Sequence, residues 1–257
     1  MLEIAADPRG IARVTLNRPE KHNAFDEALI AALARAFAGF AAAPPRAVLL
    51  AGAGRSFCAG ADAEWMHRAA LWSEAENRAD AQALSDMLAA IDACPAPVIA
   101  IAHGAVMGGG VGLLACADLV VAEAGTRFAL SEVRLGLTPA TISPFVLRAI
   151  GPRAARRWFL TGERFGAADA LAMGLVHAVS ATPQAVTDSW ISALLGNAPG
   201  AVADAKRLVR DLAGRPIDDA LRADTAARIA ARRATAEARE GLAAFLEKRA
   251  PAWAATP

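Results

Sequence analysis

A glycine run, Gly108-Gly109-Gly110, constrains this chain more than any other feature of its sequence. Residues Val98 to His103 before it predict a buried strand, Gly104 to Gly110 predict a loop, and Val111 to Cys116 after it predict a short helix. Glycines at such a junction let a ligand or another backbone approach closely, and a helix start leaves N–H groups without partners. The spacing differs from a dinucleotide-binding GxGxxG loop, and no Gly-Lys-Ser/Thr follows as in a phosphate-binding loop. The run therefore predicts either a ligand site or close packing of the helix on the strand.

A second group of small residues, Ala59-Gly60-Ala61, follows a strand predicted over Arg46 to Ala51 and a loop. Asp62 comes next and has a side chain preferred at a helix N-cap, here for Ala63-Glu64-Trp65-Met66. The N–H groups around Ala61 would then point outward at a helix start, where an anion is favoured. A tight strand-to-helix turn without a ligand is the structural alternative.

A carboxylate, Glu132, lies in the largely apolar segment Phe128 to Leu137. Partial burial would raise its pKa above the usual value of about 4.3 and make it a better base. The commoner fate of a single glutamate is an exposed loop position or an ion pair, here with Arg134. Further on, Ser143-Pro144 predicts a helix with serine as the N-cap and proline as the first helical residue.

The alternation of strand and helix patterns predicts an α/β fold with largely parallel strands. Two further strands are predicted over Ile11 to Asn17 and Asp118 to Glu123. Two helices are predicted over Asp26 to Phe40, with Asp26 as the N-cap, and over Glu74 to Ala93. From Thr182-Pro183 onward nearly every residue favours a helix, with only a weak apolar face. We therefore predict a core of residues 1–195 and a C-terminal helical region of residues 196–257 that packs on the core or on another subunit.

Charge and cysteine usage argue against several classes of function. The 27 basic and 26 acidic residues give a formal net charge of +1, so no general attraction to nucleic acid or to a membrane is expected. No apolar run is long enough to span a membrane, and the first residues lack the pattern of a secretion signal. The three cysteines are far apart and the four histidines are scattered, which argues against a disulfide framework and a metal site. We expect a cytoplasmic protein.

In this order and spacing, the three segments resemble the crotonase superfamily of enoyl-CoA hydratases and isomerases. Further stretches resemble the same family, so that the likeness covers nearly the whole chain: Asn17 to Ala24, Leu160 to Phe165, Ala170 to Val176 and Glu240 to Arg249. The resemblance implies a spiral β/α core of the ClpP/crotonase type and a C-terminal helical region that builds homotrimers, often paired into hexamers. It also implies an acyl-CoA thioester substrate and no cofactor, because coenzyme A is part of the substrate.

The family's site residues can be carried over position by position. The backbone N–H groups of Ala61 and Gly109 would form an oxyanion hole, which holds the thioester carbonyl as it becomes an enolate. Two preorganised donors of this kind contribute about 3–4 kcal/mol each. The residues expected to bind the coenzyme A part are Ala61, Asp62, Ala63, Glu64, Gly109, Phe245 and Lys248.

One acid of the family pattern is missing from this sequence. Hydratases of the family have an acidic residue just after the glycine run and another in the later loop; these positions are Gly112 and Glu132 here. A single carboxylate can move a proton between two carbons, and it can also activate water for hydration. We predict a hydratase in which Glu132 is the acid and base. An isomerase that uses Glu132 alone and a non-catalytic acyl-CoA binder are the alternatives.

Finer features resemble one bacterial subgroup, which includes 3-methylglutaconyl-CoA and carboxygeranoyl-CoA hydratases. The stretches that carry this likeness are Gly109 to Leu113, Ser131 to Leu137 and Pro139 to Pro144. An acyl chain that ends in a carboxylate would need a cationic partner. Arg134 is the candidate, although a surface or structural arginine is the more common case.

Overall fold

A six-stranded sheet organises Met1–Ser189, the first of two compact units into which the chain divides. The computed structural model describes residues 1–254. In spatial order the strands are β1 (Leu2–Ala6), β2 (Ile11–Leu16), β3 (Ala47–Gly52), β4 (Val98–Ala102), β6 (Leu119–Glu123) and β9 (Ala178–Ser180). β1 pairs antiparallel with β2, and all other neighbours pair parallel. The predicted α/β class and largely parallel pairing are confirmed.

A smaller sheet of three strands supports the glycine run. β5 (Ala105–Met107) pairs parallel with β7 (Arg127–Ala129), which pairs antiparallel with β8 (Arg164–Gly166). The sequence predicted a loop over Gly104 to Gly110, and that prediction is wrong at β5. These residues are extended because β5 also bonds to Cys58, which donates to the first carbonyl of β5 at 3.2 Å and accepts from its last N–H at 2.9 Å.

Helices connect the strands and cover the sheets. They are α1 (Glu27–Ala42), α2 (Ala63–Ala69), α3 (Glu74–Asp92), α4 (Gly109–Cys116), α5 (Ser143–Thr161) and α6 (Ala167–Ala172), followed by α7 (Pro183–Leu195). Asp26 and Asp62 cap α1 and α2 as predicted, each accepting a backbone N–H at 2.8 Å. Ser143 was predicted to cap α5, and that is wrong. Its hydroxyl donates to the carbonyl of Ala140 instead, and Ile142 occupies the N-cap position.

One hydrophobic core joins the sheets to the helices. α1 contributes Leu29, Leu33 and Phe37, which are fully buried at the four-residue spacing of one helix face. β4 is apolar throughout because both faces of the parallel sheet are covered. This core fixes the ends of β4 and β5, from which the glycine run emerges.

The second unit, from Trp190 onward, is helical as the composition predicts. Its complete helices are α8 (Pro199–Leu212), α9 (Asp219–Arg233) and α10 (Ala236–Leu246). Several large apolar side chains of this unit are exposed: Val209, Ile217, Ile229, Leu242, Phe245 and Leu246. The domain boundary after residue 195 stays a prediction. Among residues 1–254, no helix has both the length and the apolar character needed to cross a membrane.

Candidate active site

One cavity of about 440 Å³ brings the three predicted catalytic positions together. Ala61, Gly109 and Glu132 all line it, although they are far apart in the sequence. Most of the remaining lining is apolar and comes from α2, α3 and residues 131–142. The size suits a small-molecule site, for which about 300–1,000 Å³ is typical. Among the described residues that line it, Glu132 and Asp80 are the ionisable groups, and none is lysine, arginine or histidine.

The backbone at Ala61 is held in place by the residue that precedes the N-cap of α1. Phe25 donates its N–H to the carbonyl of Gly60 at 2.7 Å, and the carbonyl of Phe25 accepts from Asp62 at 2.8 Å. This parallel pairing leaves the N–H of Ala61 without an acceptor among the described residues. Backbone donors are nearly always paired in folded proteins, so this N–H is available to a ligand in the cavity.

The glycine run turns the chain from β5 into α4. Gly108 has φ 47° and ψ −112°, a conformation that residues with a side chain rarely adopt, and it donates to Ala129 at 2.9 Å. Gly109 is the first residue of α4, and its N–H has no acceptor among the described residues. A Cβ at Gly109 would lie 2.7 Å from the ring of Phe25. Both of the predicted backbone donors are therefore unpaired and line the same cavity.

Glu132 reaches the cavity from the short 3-10 helix Glu132–Leu135. Its Oε1 lies against Gly108, where a Cβ would come within 2.9 Å of it. Its Oε2 is buried and has no hydrogen-bond partner among the described residues. Burial raises the pKa of the Glu132 carboxyl, as the sequence predicts for a base in an apolar segment. A buried acceptor without a partner is rare, and it indicates a position that a substrate or a water fills.

Arg134 does not serve this cavity. It is exposed and is absent from the described lining, and its side chain lies near Gly162 instead. Neither the suggested ion pair with Glu132 nor a role for Arg134 as the cation of this cavity is present among the described residues. Residues 132 and 134 both belong to the 3-10 helix Glu132–Leu135, and side chains two positions apart on such a helix leave it in different directions.

The space next to Gly112 is filled by hydrophobic side chains. A Cβ at Gly112 would lie 2.6 Å from Cγ2 of Ile142 and 3.7 Å from Cδ2 of Leu88. Ile142 is 3% exposed and also lines the cavity. The place of the family's first acid therefore holds an apolar side chain that comes from the N-cap of α5.

The residues after Ala61 have mainly structural contacts. Asp62 is buried, caps α2 and forms an ion pair with Arg18 at 3.3 Å. Burial acts to raise the pKa of Asp62, but hydrogen bonds from the first backbone N–H groups of α2 hold it below its usual value. Ala63 and Glu64 are exposed and lie outside the described lining of the cavity, and Glu64 pairs with Lys21 at 2.8 Å.

Phe245 and Lys248, the other residues expected at the coenzyme, belong to the second unit. Phe245 lies near the C-terminus of α10, and 79% of its surface is exposed. Lys248 follows the helix with φ 52°, a left-handed conformation typical of a helix end.

The wall of the cavity formed by α3 was not foreseen from the sequence. It is made by one helix face at the spacing i, i+3, i+4 and i+7: Asn77, Asp80, Ala81 and Leu84. Trp65 of α2 packs beside it and donates its indole N–H to Asp80 at 3.2 Å. The helical spacing was visible in the sequence, but nothing local indicated that this face is turned toward a cavity.

Several known proteins are similar to this chain in sequence and in fold. The family model described as enoyl-CoA hydratase/isomerase matches residues 6–256. An enoyl-CoA hydratase of Alternaria alternata, ACTT6, is 39% identical over 205 residues, which cover 78% of this chain and 67% of that protein. The carnitinyl-CoA dehydratase of Salmonella typhi is 31% identical, covering 95% of this chain and 94% of that protein. The crystal structure of an enoyl-CoA hydratase from Shewanella pealeana superposes with a TM-score of 0.95 at 41% identity, covering 98% of this chain and 95% of that one. The predicted crotonase-type fold is thereby confirmed.

Proposed function

This chain belongs to the enoyl-CoA hydratase/isomerase family, whose members act on acyl-CoA thioesters, and on that premise we propose that it is an enoyl-CoA hydratase. The reaction adds water across the 2,3 double bond of an acyl-CoA. One observation carries the proposal: Glu132, whose Oε2 has no partner among the described residues, lines the same cavity as Ala61 and Gly109, whose backbone N–H groups are unpaired there. These are the parts needed to move a proton and to stabilise an oxyanion.

In the proposed mechanism the two N–H groups bind the thioester carbonyl oxygen. Their interaction strengthens as negative charge develops on that oxygen, which lowers the barrier to the enolate. Loss of one such donor costs about 3–4 kcal/mol of transition-state stabilisation in comparable oxyanion holes. No metal or redox cofactor takes part, because the thioester activates the neighbouring carbons.

Glu132 supplies the proton chemistry. Its carboxylate accepts a proton from a water molecule while the water oxygen bonds to the β-carbon of the enoyl group. The resulting carboxylic acid then donates that proton to the α-carbon of the enolate. The raised pKa of Glu132 suits both steps, since it brings the acid and the base form closer in free energy near neutral pH.

An isomerase is the second candidate, and the packing at Gly112 favours it. Ile142 fills the space in which hydratases of the family place their first acid, so in the described structure Glu132 is the carboxylate next to the glycine run. Moving a double bond between carbons needs one base that returns its proton. The relatives described as hydratase and dehydratase support hydration as the first candidate. A non-catalytic acyl-CoA binder is less consistent with a buried, unpartnered carboxylate.

The finer assignment concerns the acyl group. The sequence around residues 109–113, 131–137 and 139–144 resembles 3-methylglutaconyl-CoA and carboxygeranoyl-CoA hydratases, whose acyl chains end in a carboxylate, but the cavity does not favour such a chain. The described lining of the cavity offers no cation for a distal carboxylate. A neutral or cationic acyl group therefore suits this cavity better than an acidic one.

The coenzyme and the assembly complete the proposal. We propose that the coenzyme A part lies along residues 61–64. It would contact their backbone rather than the Asp62 side chain, which is already occupied in capping α2. Phe245 and Lys248 are proposed to cover the coenzyme. The exposed apolar side chains of the second unit support a homotrimer or a hexamer. A cytoplasmic location stays a prediction.

A substrate panel tests the reaction. The purified protein is incubated with crotonyl-CoA, 3-methylglutaconyl-CoA and a 3-enoyl-CoA, and the enoyl absorbance and the products are followed. We expect loss of the 2-enoyl absorbance with formation of a 3-hydroxyacyl-CoA. Isomerisation of the 3-enoyl substrate without hydration of any 2-enoyl substrate would instead establish the isomerase. Binding without turnover of any substrate would establish the acyl-CoA binder.

A further inference from the structure

The α3 wall of the active-site cavity carries an unused carboxylate. Asp80 lines the cavity and accepts the indole N–H of Trp65 through Oδ1 at 3.2 Å. Trp65 is only 7% exposed, so this contact fixes the orientation of the carboxylate. No lysine, arginine or histidine pairs with Asp80 among the described residues, and its Oδ2 has no partner there. The mechanism above does not use it.

The hydrogen-bond donors on this wall are already occupied. The indole N–H of Trp65 serves Asp80, and the side-chain nitrogen of Asn77 lies 3.1–3.3 Å from three backbone carbonyl oxygens. On this wall, the oxygens left without a donor among the described residues are therefore Oδ2 of Asp80 and the side-chain carbonyl of Asn77. The other polar side chains of the described lining are the Glu132 carboxylate beside the glycine run and the neutral hydroxyls of Ser131, Thr138 and Thr141.

We propose that Asp80 determines the specificity for the acyl group: the cavity favours a 2-enoyl chain that ends in a hydrogen-bond donor, a hydroxyl or an ammonium group, and rejects one that ends in a carboxylate. This inference rests on the hydratase function proposed above. A distal donor bonds to the free oxygen of Asp80. A distal carboxylate meets a like charge in a partly desolvated site without a cation in the described lining.

The environment of Asp80 supports this assignment. Burial raises the pKa of its carboxyl, and the charge of Glu27 adds to the rise against the effect of the Trp65 bond. An unpaired carboxylate in this position gains from a donor that arrives with the substrate, because the donor replaces the lost hydration. A role limited to anchoring Trp65 would need only the Oδ1 contact and would leave the acyl preference unchanged.

The test uses 2-enoyl-CoA thioesters of matched chain lengths that end in methyl, hydroxyl, ammonium or carboxylate. For the wild-type protein we expect kcat/KM for the hydroxyl- or ammonium-ended chain to exceed that for the carboxylate-ended chain at least about tenfold. Asp80→Asn keeps an oxygen for Trp65 but removes the charge. It should lower kcat/KM for the ammonium-ended chain about tenfold, equivalent to about 1.4 kcal/mol, and lower it less for the methyl-ended chain, which makes no bond to Asp80.

Asp86→Asn is the matched control. Asp86 lies on the same helix, is exposed, and accepts a bond from Gln82 at 2.7 Å outside the cavity. This substitution should leave the whole profile unchanged. A change of equal size in Asp86→Asn and Asp80→Asn would overturn the specific role of Asp80.

Failure of this inference is distinguishable from failure of the hydratase proposal. Hydration of the methyl-ended chain together with a wild-type preference for the carboxylate-ended chain overturns the inference alone. That wild-type profile is decisive even if Asp80→Asn does not fold. If no chain is hydrated, the hydratase proposal fails. Calorimetric binding of saturated acyl-CoA thioesters with the same end groups then decides the Asp80 preference: tighter binding of the donor-ended chains supports it, and equal or weaker binding overturns it.

Discussion

Replacing Gly112 by alanine should weaken the fold, even though alanine favours a helix. A Cβ at this position of α4 would lie 2.6 Å from Cγ2 of Ile142 and 3.7 Å from Leu88. Both neighbours are buried, so a shift of either one costs packing contacts. Alanine gains about 1 kcal/mol in helix propensity, whereas an extra methyl group in a packed core costs about 1–3 kcal/mol. Together these principles predict a net loss of about 0–2 kcal/mol in the free energy of unfolding.

Gly39→Ala provides the matched control. Gly39 is an exposed residue of α1, and a Cβ there would meet nothing within 4 Å. It should gain the helix propensity of about 1 kcal/mol without any packing cost. The difference between the two variants therefore isolates the cost of the missing space at Gly112, about 1–3 kcal/mol. Chemical denaturation measures both, with an unchanged m-value as the check on a common mechanism.

Substitution of Ile142 identifies the obstacle. Ile142→Ala removes Cγ2, whereas Ile142→Val keeps it. Gly112→Ala should cost less free energy in the Ile142→Ala background than in the Ile142→Val background, because only the Cβ of residue 142, at 3.0 Å, then remains close. An equal cost in both backgrounds would show that Ile142 does not fill this space. Equal gains in the free energy of unfolding from Gly112→Ala and Gly39→Ala would refute the packing cost at Gly112. A carboxylate could then be introduced at Gly112 without a change at Ile142.

Four further predictions concern the site. Because burial raises the pKa of Glu132, the free energy of unfolding falls as pH rises from the ordinary pKa near 4.5 to the raised pKa. Glu132→Gln should remove this loss, so the stability of the variant relative to wild type should grow over that pH range and then level off. Chemical denaturation at several pH values measures this difference. The acid limb of wild-type kcat/KM should have its midpoint above 4.5, and a midpoint at or below that value would exclude Glu132 as the titrating base. Asp62→Ala and Asp218→Ala each remove an N-cap, and each should lower the free energy of unfolding by about 1 kcal/mol. Only Asp62→Ala should lower kcat/KM, because Asp62 adjoins Ala61, a proposed oxyanion donor. An equal effect of both variants on activity would contradict this. Gly109→Ala would place a Cβ 2.7 Å from Phe25, and we expect kcat to fall at least about tenfold by loss of donor geometry; unchanged steady-state turnover would contradict this, because it would show that the added methyl group leaves the donor in place.

The fold was largely predictable because its signals are local. Asp26 and Asp62 are helix caps that the sequence marks directly, and both are confirmed. β5 was missed because its extended form depends on pairing with Cys58, which is distant in the sequence. The cap of α5 was placed at Ser143 by the Ser-Pro pattern, but the serine hydroxyl turns back to a preceding carbonyl.

The site was predictable only in part. Family resemblance marked Ala61, Gly109 and Glu132, and the fold brings all three to one cavity. Resemblance could also show that an acid is absent at Gly112. It could not show that a side chain from the start of another helix fills that space, because this contact exists only after the chain has packed. Asp80 was missed for the same reason.

We propose that Glu132 moves a proton between water and an enolate that the backbone N–H groups of Ala61 and Gly109 hold. The most direct test is turnover of crotonyl-CoA in water enriched in heavy oxygen, with mass analysis of the product, for wild type, Glu132→Gln and the exposed control Glu123→Gln. We predict a 3-hydroxyacyl-CoA carrying one heavy oxygen from wild type and Glu123→Gln, and a rate lowered about 10²–10⁴-fold in Glu132→Gln. Full incorporation at the wild-type rate in Glu132→Gln would contradict the claim.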